Sequence, residues 1–300
     1  MTIQTIIFSK DRPLQLHSAL ASFALHVSDP ASVQINVLCK ASNASFRHGY
    51  ALVDEELSKS LNINWIQESD FKEDLLNVIQ ESRSTSRRQR IWDRLTLKQP
   101  RLRCQHLLFL VDDNLFVHHF CLKDVEDLLS TNPEAIGFSL RVGRNTTNCY
   151  SMQCDQPLPQ FESIPPALSF KWSQQIGDFG YPIEVSSSVY RSADLISRLR
   201  RLPYQNPNRL EQALSATSGF FAKKFPSLLC FEQSVAFCAP VNKVQSIFDN
   251  RSGEQEEYSS EALNKMFLEG YRLDVSSLNE FVPNAAHVEI KLPLFMPKAS

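Results

Sequence analysis

Residues 107–120 read LLFLVDDNLFVHHF: five apolar positions, then Asp112, Asp113 and Asn114, then apolar chain again. Two adjacent carboxylates at the end of a buried strand supply hard oxygen donors. Such donors suit Mg²⁺ or Mn²⁺ together with phosphate oxygens, because Mg²⁺ sites commonly use one or two carboxylates and take the rest from substrate and water. A strand end that is merely solvated would look the same, so the pair alone leaves both readings open. A second group stands just past the first apolar run, where Ser9, Lys10, Asp11 and Arg12 precede Pro13. Lys10 or Arg12 there suits phosphate and Asp11 suits a base or ribose, against the plainer reading of an Asp-Arg-Pro turn that starts a helix. Arg141, Arg144 and Asn145 follow a later apolar run and are candidates for the same cleft.

The elements that must position these residues alternate. A β-rich run ends near Ser9, PLQLHSALASFALHV has helical spacing with Pro13 suited to a first turn, and VQINVLCKA is a second strand. SFRHGYALVDEELSKSL is helical, INWIQE a third strand, FKEDLLNVIQES a helix and HLLFLVDD a fourth strand. Alternation of this kind implies βαβ units, parallel pairing and right-handed crossovers. In open α/β sheets, ligands bind at the carboxyl ends of the strands, which is where the acidic triplet falls. Farther on, LKDVEDLLSTN is a helix and AIGFSLRVG a strand. Residues 146–180, with Pro157, Pro159, Pro165 and Pro166, read as a long surface excursion. IEVSSSVYRS is then expected as a strand and SADLISRLRRL as a helix with a serine cap. NPNRLEQALSA follows as a helix capped by Asn208, with SSEALNKMFLEG ended by Gly270. AAHVEIKLPL is a closing strand or extended tail. No composition break divides the chain, so the expectation is one α/β domain over 1–300, with halves at 1–145 and 146–300.

Composition excludes several classes. The chain has 300 residues, 43% hydrophobic and 21% charged, with a formal charge of −2, so no general electrostatic pull toward nucleic acid exists. One basic run, SRSTSRRQRIWDR at 82–94, is read either as a solvated face or as a patch for phosphate or a membrane surface. No secretory h-region and no apolar run of membrane-spanning length is seen, so the chain is expected to be cytoplasmic, with peripheral membrane contact left open. Seven scattered cysteines, mostly among apolar neighbours, point to free buried thiols. The Cys149–Cys154 spacing lacks the second pair of a zinc site. His118 and His119 beside Cys121 are expected to pack rather than ligate. Phosphate-loop, dinucleotide-binding, zincin and hydrolase-elbow motifs are all missing.

The order and spacing of SKDRPLQL, HGY, FLVDDNLF, GFSLRVGRN, FGYP, NPNRLE, PVNKVQ and AAHVE carry a resemblance over most of the chain. The chain resembles the GT-A fold of nucleotide-sugar-dependent glycosyltransferases, in particular a bacterial and cyanobacterial group related to family 2. The resemblance implies a GT-A-like, mostly parallel sheet flanked by helices, with a nucleotide-binding half followed by an acceptor-side lobe. It implies that the chain moves a sugar from a nucleoside-diphosphate donor to a glycan or other hydroxyl acceptor, with Mn²⁺ or Mg²⁺ and inversion. Asp112 and Asn114 then occupy the first and third places of a DxD motif, with Asn in place of the usual second Asp, so that ligand brings no charge. Asp113, Asn114 and His287 are the implied metal ligands. Ser9, Lys10, Asp11, Arg12, Asp112, Asp113, Arg141 and Asn145 are the implied donor contacts. Glu211 is the implied base that takes the acceptor proton, with Asp178 as its rival. Read without the family, Glu211 is equally a first-turn acid on a helix dipole. His287 is a packing residue on the same reading, and Trp172 and Tyr181 are either sugar platforms or core. Two other functions are kept beside transfer: a sugar nucleotidyltransferase, against which SKDRPLQL has no glycine, and a non-catalytic nucleotide-sugar binder.

Overall fold

The computed structural model describes residues 3–28, 30–80, 102–241 and 258–297; the basic run at 82–94 lies outside them. The first half forms β1 (Ile3–Lys10), α1 (Pro13–His26), β2 (Gln34–Lys40), α2 (Ala44–Leu57), β3 (Asn62–Gln67), α3 (Phe71–Ile79) and β4 (His106–Val111). A short β5 (Asn114–Phe116), α4 (Leu122–Thr131) and β6 (Ala135–Ser139) follow. Each start has a local cause. Pro13 occupies the first turn of α1, where its missing N–H costs no bond. Asn43 accepts from Phe46 N–H to cap α2, and Asp70 accepts from Glu73 N–H to cap α3.

The second half departs from the reading of 146–180 as surface chain. Two small strands, β7 (Asn148–Cys149) and β8 (Cys154–Asp155), form a side ladder, but β9 (Glu162–Ile164) and β10 (Ala167–Lys171) join the main sheet. Pro165 and Pro166 make the turn between these two strands, so the prolines punctuate a hairpin. Trp172, at the end of β10, is buried and its indole N–H donates to Phe225 O, which assigns it to the core and not to a sugar platform. Then come β11 (Ser188–Arg191), α5 (Ser192–Arg201), α6 (Pro207–Ser215), α7 (Ser218–Ala222), β12 (Ser227–Phe231) and β13 (Ala236–Cys238). The described chain closes with α8 (Ser260–Leu268), β14 (Arg272–Leu273) and β15 (Leu294–Phe295).

Two caps differ from expectation. Ser192 lies inside α5 and bonds the Cys104 thiol, with Arg191 at the cap position. Asn206, not Asn208, caps α6 by accepting from Arg209 N–H. Glu211 therefore sits beyond the first turn of α6, and the helix-dipole account of it falls away.

The main sheet has nine strands in the order β3-β2-β1-β4-β11-β6-β12-β10-β9, and only β11 and β10 run against the rest. The α/β architecture read from the alternation of elements is thus present. Side chains of the central strands alternate between two cores. Ile7, Leu108 and Leu110 pack with Leu16, Leu20 and Phe23 of α1, whereas Ile6, Phe8, Leu107 and Phe109 pack with Leu75 of α3 and Leu195 of α5. Helices thus cover both faces, and the parallel strands are apolar on both sides. A third, smaller cluster joins Leu115, Phe237, Leu263, Leu273 and Leu292 under the C-terminal segment.

This topology fixes where a ligand goes. From β1 the chain moves outward through β2 to β3 with α1 and α2 on one face. It returns over the other face, with α3, to place β4 on the far side of β1. The reversal between β1 and β4 is a topological switch point, and the crevice beyond the carboxyl ends of those strands is the expected binding place. Among the described residues no helix is long and apolar enough to cross a membrane. All seven cysteines are free, five of them buried.

Candidate active site

The acidic triplet leaves β4 at the switch point. Asn114 builds the turn: its Oδ1 accepts from Val111 N–H at 2.8 Å and its Nδ2 donates to Ser186 O at 2.7 Å. The residue is fully buried. Ala239 N–H donates to Asp113 O at 2.8 Å, and β5 pairs antiparallel with β13, so the turn is fastened from its far side as well. Asp112 is buried and meets Arg12 Nη1 at 3.0 Å, while Asp113, with a fifth of its side chain exposed, stands 3.6 Å from the same nitrogen. Burial raises both carboxyls, against the opposing pull of Arg12, and Asp113 is pushed up to about 6. Asp113 is therefore a carboxylate whose charge the protein leaves incompletely balanced.

The β1 end supports this turn more than it opens a loop. The Ser9 hydroxyl bonds Tyr50 Oη at 2.8 Å, and Arg12 N–H donates to the same oxygen at 3.2 Å. Asp11 has a left-handed backbone with φ 55°, is buried, and accepts from Ser42 N–H at 2.7 Å, tying β1 to the start of α2. Lys10 is exposed at the rim. The cavity directly against Asp112 and Asp113, lined also by Leu14 and Gln15, is about 20 Å³. A nucleotide does not fit in that cavity.

A second cation anchors the other wall. Arg141, just past β6, is buried; its Nη1 donates to Ser186 Oγ at 3.0 Å and lies 3.5 Å from His287 Nε2, and its Nε is 3.8 Å from Glu184. Glu184 accepts from Ser186 N–H, from Ser186 Oγ–H at 2.7 Å and from Ser188 Oγ–H. Its backbone is held in turn by Tyr190 Oη, which accepts from Glu184 N–H and donates to Glu184 O, both at 2.9 Å. The Tyr190 ring fits only because residue 137 is glycine: a Cβ there would meet the ring at 2.6 Å.

Around Arg141 stand further acids. Glu211 Oε2 accepts from Val185 N–H at 3.3 Å, and burial together with the neighbouring Glu184 raises its carboxyl, opposed by Arg141. Asp178 accepts from Gln156 Nε2 at 3.1 Å; burial raises it too, opposed by Arg141. Tyr181 is half-buried and reaches Glu211 and Ser215.

His287 arrives on the C-terminal segment, which is fastened beside β13 by a bridge to Cys238. Asn145 clasps that segment: its amide donates to Pro283 O at 2.5 Å and Ser234 Oγ at 2.7 Å and accepts from Ser234 N–H at 2.9 Å. Both hydrogens and the oxygen of this amide are taken by the chain itself. Burial and the nearby Arg141 charge push His287 down to about 3, so the imidazole is neutral; Arg141 can only donate, so the lone pair on Nε2 faces its Nη1 at 3.5 Å. Arg144 lies apart, paired with Glu232 at 2.7 Å on the surface. His118 bonds Glu280 and Gln233 away from the acidic turn.

The structure thus brings Arg12, Asp112, Asp113, Arg141, Asp178, Glu211 and His287 to the crevice. It uses Ser9, Asp11, Asn114 and Asn145 as struts. Glu184 was not singled out from sequence; the signal for it was an acid between Ile183 and Val185 in an apparent strand run, which a solvent-facing position does not explain. Among the described residues no group of three His, Cys, Asp or Glu side chains is placed to hold a metal ion. A Mg²⁺ site can be completed by substrate phosphate and water, and the partly exposed Asp113 is a hard oxygen donor of the kind such a site uses.

Comparison with known proteins agrees with the resemblance. No known protein-family model matches the chain. It is 26% identical to the bifunctional glycosyltransferase pgtA of Dictyostelium discoideum over a 315-residue alignment that covers 92% of this chain. The chain is similar to a glycosyltransferase. It spans 38% of that relative's length. Among solved structures, TarS 1–349 of S. aureus in complex with UDP-GlcNAc aligns with 89% of this chain and 72% of its own, at 12% identity and TM-score 0.48. The galactosyltransferase LgtC with donor and acceptor sugar analogs aligns with 93% of this chain and 98% of its own, at 12% identity and TM-score 0.38.

Proposed function

We propose that the chain transfers a sugar from a nucleoside-diphosphate donor to a hydroxyl acceptor, with a divalent cation and inversion at the anomeric carbon. The observation that carries this reading is the meeting, at the β1–β4 switch point, of an underbalanced Asp113 with two arginines and a buried acid of raised affinity for protons. The carboxyl edge of the sheet at a switch point is where an open α/β sheet takes a nucleotide. Arg12 and Arg141 set positive charge on either side of Asp113, where a diphosphate would lie, and Lys10 stands exposed at the rim beside Arg12. Asp113, with His287 as the candidate second ligand, would hold Mn²⁺ or Mg²⁺, which when bound would neutralise charge on the departing diphosphate; Asn114, buried and bonded at both ends of its amide, does not join them.

The base follows from the acid excess around Arg141. A carboxylate whose pKa is raised takes a proton more readily at neutral pH, and Glu211 meets that requirement. In the transfer, the acceptor oxygen bonds the anomeric carbon, its proton passes to Glu211, and the bond to the diphosphate oxygen breaks with both electrons on that oxygen. Asp178 is the alternative base, placed on the same arginine. The nucleotidyltransferase reading is disfavoured because the β1–α1 turn offers no cradle of backbone donors: the Arg12 and Asp11 N–H groups are already bonded within the chain. Similarity to pgtA supports transfer over simple binding.

The test is a panel of nucleotide sugars screened by thermal shift with and without Mn²⁺, followed by detection of free nucleoside diphosphate and glycosylated product. A donor that stabilises the protein and is turned over supports the proposal. Stabilisation by a donor with no hydrolysis or transfer to any acceptor would instead identify a binding module.

A further inference from the structure

The edge of the sheet opposite the crevice carries a different kind of surface. β11 ends at Arg191, opposite His106 at the start of β4, and β12 starts at Ser227, opposite Ala135 at the start of β6. Helix α5 leaves the first of these points and α7 leads into the second, so both border the far edge. Between them lies an open groove of about 270 Å³, lined by Ser197, Arg198, Phe220, Lys224 and Phe225 among others.

Two features of this surface need a partner. Phe220, at the tip of α7, is 71% exposed, the highest value among the exposed large apolar side chains of the described residues. Nothing lies within 4 Å of the position a side chain at the neighbouring Gly219 would take, so the tip projects freely. A bare phenylalanine could be an isolated surface residue, but its setting is charged. Segment 191–224 carries seven basic and two acidic residues in a chain whose net charge is −2. The Arg198 guanidinium lies 4.2 Å above the Phe220 ring centroid, and Lys223 and Lys224 follow α7 on exposed chain. Asp194, the acid in the groove, is already taken by Arg191 at 2.7 Å and Lys224 at 3.5 Å.

We infer that this face docks on an anionic bilayer, with Phe220 entering the headgroup boundary and Arg198 and Lys224 meeting lipid phosphates. A projecting aromatic ringed by arginine and lysine matches an interface that is negatively charged outside and apolar beneath. A soluble polyanion would be met by the cations alone and would leave the exposed part of the Phe220 ring in water. The docked face lies opposite the crevice, so the proposed donor site opens away from the membrane. This inference stands independently of the chemistry proposed for that site.

The full chain is sedimented with phosphatidylcholine vesicles, with and without phosphatidylglycerol, at low and raised salt. Binding is expected only with phosphatidylglycerol and should weaken as salt rises. Arg198→Gln and Lys224→Gln should each lower partitioning about fivefold, and Phe220→Ser about tenfold, with unchanged thermal unfolding. Lys223→Gln, on wholly exposed chain, repeats the charge test where folding is not at risk. Equal binding to neutral vesicles, or no binding to either, overturns the inference. So does binding that ignores all four substitutions, which would locate the contact elsewhere on the chain. Binding displaced by inorganic phosphate and indifferent to Phe220→Ser would assign the groove to a free anion and equally overturn it.

Discussion

Asp113→Asn should make the metal-free protein more stable and, on the proposed function, should abolish its response to a divalent cation. Burial moves the Asp113 carboxyl from 3.8 to about 6. Holding it ionised in the folded protein therefore costs roughly 3 kcal/mol above pH 6, on the scale of 1.36 kcal/mol for each tenfold change in proton affinity. The sign follows from which state binds the proton. The folded value lies above the unfolded one, so the favourable contribution is complete below about pH 4 and is lost as pH rises through about 6. Asparagine removes the charge and with it this loss. The value of about 6 already contains the 3.6 Å attraction to Arg12, and that guanidinium keeps Asp112 at 3.0 Å and is not left unpaired. Allowing for burial of the new amide, the net gain at pH 8 is about 1 to 2 kcal/mol.

Urea unfolding in chelator at pH 5 and pH 8 reads this directly. The variant and the parent should be close at pH 5, where Asp113 is mostly protonated, and should separate at pH 8 in favour of the variant. Adding Mn²⁺ should then raise the unfolding temperature of the parent alone. A variant less stable than the parent at pH 8, or a gap that does not change with pH, would refute the account of Asp113 as an underbalanced carboxylate.

Other outcomes follow from the same geometry. Glu211→Gln should lower turnover by about 10²- to 10⁴-fold with donor binding by thermal shift retained, and Asp178→Asn should do less; the reverse order would move the base to Asp178. Glu184→Gln replaces an acceptor of three hydrogen bonds beside Arg141 with an amide that also donates, and should cost about 3 kcal/mol in urea unfolding. A loss well under 1 kcal/mol would show that the Arg141–Glu184 contact carries little. Asn206→Ala should cost about 1 kcal/mol through loss of the α6 cap, whereas Asn208→Ala should cost a few tenths at most.

Where one physical rule dominates, the sequence was sufficient. Strands β1 and β4 are buried on both faces, so their apolar runs are continuous and their helices carry caps or a first-turn proline; those elements were all foreseen. The run IEVSSSVYRS broke the rule, since only Ser188–Arg191 pair as strand and the preceding residues turn to hold Glu184 over Arg141. Local propensity favours a strand there, and a tertiary ion pair with three serine-side bonds overrides it. In residues 146–180 the prolines hid β10, whose ALSFK run is short and needs β12 beside it to become a strand. Asn114 and Asn145 were legible as polar residues in the right places. Their work as struts was not, because an amide facing a ligand and an amide facing the backbone have the same letter.

The two arginines divide the crevice unequally, and the division bears on how a cation enters. Arg12 is drawn to Asp112, which is buried and also receives Ser9, so that pair forms the floor of the site. Arg141 is engaged with Glu184 and Ser186 on the opposite wall. Asp113 stands between them with more solvent access than Asp112 and a longer reach to Arg12. On the proposed function, a divalent ion would therefore take Asp113 without breaking the Arg12–Asp112 pair. Arg12 would then act less as a competitor of the metal than as the group that fixes the neighbouring carboxylate. On this reading Arg12→Met should weaken Mn²⁺ binding, because Asp112 would lose its partner and the floor would shift, whereas a competitor's removal would tighten it.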